Sequence, residues 1–204
     1  MVAMSIARHF MFLEFTNPEV LSLLTSLRDT LHGAPQRDPV HITVRGPYKE
    51  APGQHAVEAQ ARALEGNFVM LRDVGTFETN KGHVVFLNAY SKIFDEIWWK
   101  PDYRDQRKRP HLTLLETVDH REAREAKKFL ESEKLEIVTS FLSLTVYTSR
   151  QRSLWRDQQA VRANKCLSPM ERVLVSDGIV SRAVQLKKYL NDSSASLAHQ
   201  MALI

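Results

Sequence analysis

The chain has 204 residues, 43% of them hydrophobic and 25% charged, with a formal net charge of +4. This suits one medium domain or two small lobes packed together, and it excludes a membrane-spanning helix, because no apolar run approaches the roughly 20 residues that crossing requires. The lone cysteine, Cys166, excludes an internal disulfide, and residues 1–15 lack the long apolar stretch and cleavage site of a signal peptide, so the expected setting is a reducing cytoplasm.

In chain order, apolar alternation over 6–16 predicts a strand that ends at Asn17-Pro18. Asn17 is a helix cap with proline at the first helical position, and Leu21, Leu24, Leu27 and Leu31 recur at helical spacing until Gly33. A strand over 40–45 runs into Gly46-Pro47, a turn signal, and a second amphipathic helix covers 54–64. Residues 68–77 and 83–89 flank Asn80-Lys81-Gly82 as a β-hairpin, and Ser91 caps a short helix through Trp99. A charged loop over 100–109 leads into a strand at 110–116. Asp119 then caps a helix reaching Ser132, and 135–148 resumes the strand pattern. Further on, 151–165 reads as a polar helix, 172–175 and 178–180 as strands, and 181–190 as a helix, with 191–204 a flexible tail. The order of elements predicts an α+β fold in which a helix–motif strand–helix unit occurs twice, in two lobes without a long linker.

Within those two units the tripeptide His-x-Thr appears twice, as His41-Ile42-Thr43 and His111-Leu112-Thr113. Residues i and i+2 of a strand share a face, so each His and its Thr project together while Ile42 or Leu112 turns away. Eight histidines in a chain of this size give roughly 0.4 such matches by chance, so one copy carries little. The weight comes from the second copy and the matching flanks: Pro39-Val40 precedes the first, Arg109-Pro110 the second, and both continue in β-prone residues. Two imidazoles and two hydroxyls in one cleft are sufficient for acid–base chemistry on a phosphate ester. One His takes a proton, the other gives one, and the hydroxyls hold non-bridging oxygens.

The remaining candidates are substrate contacts. Arg45 shares the motif face if the strand continues, and Tyr48 after the turn is placed to stack on a base. Tyr103 lies in the approach to the second motif, and Arg109 closes the basic run Arg104, Arg107, Lys108, Arg109 that would draw an anion toward His111. Each has a plainer alternative as a surface or packing residue. His9, His32, His55, His83, His120 and His199 show no metal-ligand spacing, and there are no paired cysteines and no glycine-rich phosphate loop, so neither a metal nor a cofactor is expected.

These residues resemble the 2H phosphoesterases, the 2′-5′ RNA ligase-like or cyclic phosphodiesterase superfamily. The likeness covers residues 10–147: the early strand Phe10-Met11-Phe12-Leu13-Glu14-Phe15, the Pro-x-His-Ile-Thr-Val-Arg-Gly-Pro-Tyr segment, the stretch from Phe68 to Phe77, and Arg109-Pro110-His111-Leu112-Thr113-Leu114. It implies a single bilobal domain over 1–190, with 149–190 as an extension beyond the minimal family pattern and both motif strands lining a central cleft. It also implies metal-independent cleavage of 2′,3′-cyclic phosphates or 2′-5′ linkages, with His41 and His111 sharing the base and acid roles and Thr43 and Thr113 on the phosphate. The expected partner is a nucleotide or RNA substrate, with no membrane. Which histidine is the base stays open, as does oligomeric state. A nucleotide- or RNA-binding module without turnover and an RNA 2′-5′ end ligase are the alternatives.

Overall fold

The computed structural model describes residues 8–48, 50–97, 110–150, 153–162 and 171–201. Strand β1 (Arg8–Phe15) gives way at Asn17, whose side chain accepts from the backbone N–H groups of Glu19 (2.7 Å) and Val20 (3.2 Å). Pro18 follows at the first helical position, where a missing N–H is no loss. Helix α1 (Pro18–His32) buries Val20, Leu24, Leu27 and Leu31 and stops at Gly33, whose left-handed φ of 75° suits a residue without Cβ. Leu21, expected on the buried stripe, is exposed, and Val20 takes its place.

Next come β2 (His41–Tyr48), α2 (Gln54–Arg62) and the hairpin of β3 (Val69–Thr79) and β4 (Gly82–Tyr90). A short α3 (Phe94–Ile97) precedes β5 (His111–Thr117). Asp119 caps α4 (His120–Glu133) by accepting from the N–H groups of Arg121 and Glu122. The chain closes with β6 (Glu136–Thr139), β7 (Leu142–Arg150), β8 (Ser153–Arg162), β9 (Glu171–Leu174) and α5 (Ile179–Met201). The fold is α+β. The described strands form one nine-stranded sheet in the order β8-β7-β1-β2-β5-β4-β3-β6-β9, antiparallel at each neighbouring pair.

The segment 135–148, expected as one strand, is two strands that lie six places apart in that order. Only Ser140 and Phe141 separate them. Two linking residues reach roughly 10 Å, whereas six strand spacings in a flat sheet amount to roughly 29 Å. The sheet therefore curls until β6 comes round to β7, and the Thr16 N–H holds the crossing by donating to the Phe141 carbonyl at 2.9 Å. Met11, Leu13, Ile42, Val44, Leu112 and Leu114 point into the core on one face, where α1 and α4 contribute their own apolar stripes.

Further expectations fail, the first two for non-local reasons. Gly46-Pro47 does not turn: β2 continues through a cis Gly46–Pro47 bond to Tyr48, and register shifts against His9 and Met11 of β1 absorb the extra residues. A Cβ on Gly46 would lie 2.7 Å from the His9 carbonyl oxygen, so the strand passes there only without a side chain. Of the polar stretch read as a helix over 151–165, the described residues 153–162 form β8, since the otherwise open edge of β7 pairs with them from Ser143↔Arg162 to Arg150↔Ser153. Ile179 and Val180 start α5 rather than a strand, with the Arg182 N–H donating to the Gly178 carbonyl, and helical backbone continues past Leu190 to Met201. Among the described residues no helix is long and apolar enough to cross a membrane.

Near the middle of the sheet, β2 and β5 share a single registered pair, Ile42↔Leu112, with both side chains fully buried. Leu112→Ala should cost about 2–5 kcal/mol of stability, measured as the midpoint of urea unfolding, because it leaves a cavity at that seam. Leu21→Ala on the exposed side of α1 should change it by about 0.5 kcal/mol or less.

Candidate active site

The Ile42–Leu112 pair decides where the two motifs face. Residues directly opposite in an antiparallel pair share a face, so with Ile42 and Leu112 in the core, their neighbours project from the other side. The register puts His41 beside Thr113 and Thr43 beside His111, with the two histidines on the diagonal. All four line one cavity of about 320 Å³.

The two imidazoles sit in different surroundings. His41 Nδ1 lies 2.8 Å from the Pro39 carbonyl oxygen, which can only accept, so the proton is on Nδ1 and the Nε2 lone pair is left for chemistry. The ring stacks on Phe12 at a centroid distance of 3.7 Å, and burial pushes its pKa below the ordinary histidine value. The Pro39 carbonyl, Asp38 and Glu14 act in the opposite direction. At neutral pH His41 is therefore a neutral imidazole. His111 is held from the other side by Phe86 (centroids 4.8 Å) and by the edge of Phe77 (5.3 Å).

The support behind His41 begins on α1. The buried Arg28 donates through Nη1 to the Asp38 carbonyl at 2.6 Å and pairs with Asp29 at 3.1 Å, while the Asp29 carboxylate also accepts from the Gln36 N–H. These contacts fix residues 34–40 and hence the carbonyl that orients His41. His32, on the same helix and at the same cavity, also has its pKa lowered, first by burial and then by the Arg28 and Lys187 charges.

On β5 the pairing slips between Val85↔Leu115 and Phe86↔Thr113, so Leu114 and Leu115 are both buried and Glu116 returns to the cavity side. Nothing in the residue pattern announces that bulge. Sequence reasoning also passed over Phe12, Phe77 and Phe86, which hold the imidazoles, and Arg28 and Asp38. The apolar residues on both faces of Phe10-Met11-Phe12-Leu13 were the available signal that β1 is covered on both sides.

Of the other candidates, Tyr48 does not line this cavity. Because β2 runs on through Gly46-Pro47, Tyr48 sits seven residues beyond His41, opposite His9. Arg45 is part of β2, opposite Met11, with its side chain outside the described residues. Tyr103, Arg109 and the rest of the basic run also lie outside the described residues. No cluster of three or more metal-ligating side chains occurs among the described residues. No protein-family model matches the chain, and comparison with the curated proteins finds no match.

Both lowered histidine pKa values give the fold a pH dependence of known sign. The unfolded chain binds these protons at about pH 6.5 and the folded chain only at lower pH, so stability is retained above that value and lost as pH falls through the folded pKa values. The urea midpoint should drop between pH 7 and pH 5, and a His32→Gln/His41→Gln variant should lose less over the same interval. A second expectation concerns the seat of His111. A Cβ on Gly75 would stand 2.3 Å from the Phe86 ring, so Gly75→Ala should displace that ring and destabilise the protein by about 1–3 kcal/mol in the same assay.

Proposed function

We propose that the protein is a metal-independent phosphodiesterase of the 2H type, cleaving 2′,3′-cyclic phosphates or 2′-5′-linked nucleotides, including RNA ends. The observation that carries this reading is that both His-x-Thr motifs line one cavity, with each histidine beside the other motif's threonine. The finer architecture, two lobes facing across a cleft, belongs to the same reading. Among the described residues, the four strands β8-β7-β1-β2 and the five strands β5-β4-β3-β6-β9 share one registered ladder pair, Ile42–Leu112, where the motifs lie.

The different surroundings of the histidines support a division of roles between them. His41, neutral and with Nε2 free of the Pro39 bond, is the base. It takes a proton from water attacking a cyclic phosphate, or from a ribose hydroxyl attacking a neighbouring linkage. The attacking oxygen bonds to phosphorus as the P–O bond to the departing ribose oxygen breaks, and His111 as imidazolium delivers its proton to that oxygen. Thr43 and Thr113 donate to the non-bridging oxygens, where charge gathers in the transition state. Arg104, Arg107, Lys108 and Arg109 precede His111 in sequence and would attract the polyanion. An intracellular setting, favoured by the lone Cys166, fits a nucleotide or RNA substrate.

The test is product analysis, with EDTA present, on 2′,3′-cyclic mononucleotides, 2′-5′ oligonucleotides and a short RNA with a cyclic phosphate end. Turnover should survive EDTA, fall by roughly 10²-fold or more in both His41→Ala and His111→Ala, and follow a bell-shaped pH profile. Turnover that either variant retains, or binding with no product from any substrate, would contradict the proposal.

A further inference from the structure

Glu14 occupies an unusual place on β1. The strand shows Phe10, Phe12 and Glu14 on the motif face, and the first two form an aromatic wall with Tyr147, with Phe12 lying 4.8 Å from the Tyr147 ring. A carboxylate next to such a wall is costly unless its oxygens are satisfied. They are satisfied by hydroxyls: Thr145 Oγ1 donates to one oxygen at 2.9 Å and the Tyr147 hydroxyl donates to the other. Both donors are buried on β7, so the two hydroxyls anchor both carboxylate oxygens and fix where the side chain sits. No lysine or arginine whose side chain is described forms an ion pair with it.

The side chain across the strand pair from Glu14 is His41, since Glu14↔His41 is a registered pair of β1 and β2 and directly opposite residues share a face. That the two strands' side chains meet on this face is shown by the neighbouring Phe12, which stacks on the imidazole. The arrangement is therefore a fixed anion facing a ring that is neutral at rest. Such a charge gains its partner only when the ring takes up a proton, so it favours the state after proton transfer over the state before it.

We propose that Glu14, moored by Thr145 and Tyr147, is a positioning residue that supplies the counter-charge for His41 once the imidazole has accepted its proton. This deepens the phosphodiesterase reading and rests on it for the catalytic half. The other groups facing His41 are Asp38 in the loop before β2, Arg28 and His32 on α1, and His111 and Glu116 on β5. Arg28 is already engaged with Asp29 and the Asp38 carbonyl. Asp38 is the competing counter-charge.

The deciding experiment is an NMR titration of the His41 ring proton in the wild type, Glu14→Gln and Asp38→Asn, with Glu14→Leu as a second variant should the glutamine not fold. It needs no substrate. Loss of Glu14 should lower the His41 titration point by roughly 0.5–1 pH unit, and the acid limb of kcat/KM on the substrate turned over should move down with it. An unmoved titration in either folded Glu14 variant, or a shift in Asp38→Asn alone, would overturn the inference. So would a shifted titration with an unmoved acid limb. A shifted titration in a protein that turns over no substrate would uphold the pairing and reject the phosphodiesterase reading instead.

Discussion

Two leucine-sized side chains, Ile42 and Leu112, form the one registered pair between β2 and β5 among the described residues, and the geometry of the cavity follows from that contact. In an antiparallel pair the alternation of side chains leaves no freedom: once both residues enter the core, His41, Thr43, His111 and Thr113 must leave it on the same side. A slip of one residue in either strand would send that strand's His and Thr into the core and bring an apolar residue to the cavity. Burial of Ile42 and Leu112 therefore stabilises the fold and sets the register of the site by the same contact. The curl of the sheet, imposed by a two-residue link between β6 and β7, adds the second constraint by bringing distant strands around a common core.

Onto this near-equivalent pair of motifs the surroundings impose a difference. His41 is clamped by the Pro39 carbonyl and stacked on Phe12, and the preceding carbonyl, that of Asp38, accepts from Arg28 on α1. His111 lies between Phe77 and Phe86, and Phe86 can occupy its position because Gly75 opposite it has no side chain. Chemistry that moves one proton in and another out needs two groups in different protonation states, and burial with a fixed tautomer is a direct way to make one of them the base.

What could be read in advance was local. The cap at Asn17, the stop at Gly33, the hairpin around Asn80-Lys81 and the shared face of each His-x-Thr all depend on residues a few positions apart. What escaped depends on a partner far along the chain. Gly46-Pro47 carries a turn signal, but β1 offers a strand to pair with and the segment extends. The stretch from Ser153 to Arg162 has a polar composition, but the exposed edge of β7 draws it into the sheet. The adjacent buried leucines at 114 and 115 come from a bulge against β4, and that bulge puts Glu116 beside the site. Glu14 was visible as a lone carboxylate in an aromatic strand; its relation to His41 appears only with the β1–β2 register.

The central claim is that both histidines address one phosphate. It is tested most directly by following the ring-proton NMR signals of His41 and His111, assigned with single His→Gln variants, while a nucleoside 2′-monophosphate is added. The account predicts that both signals move along one binding curve with a common Kd. Movement of one imidazole without the other, or of neither as the ligand reaches saturation elsewhere on the protein, would contradict it.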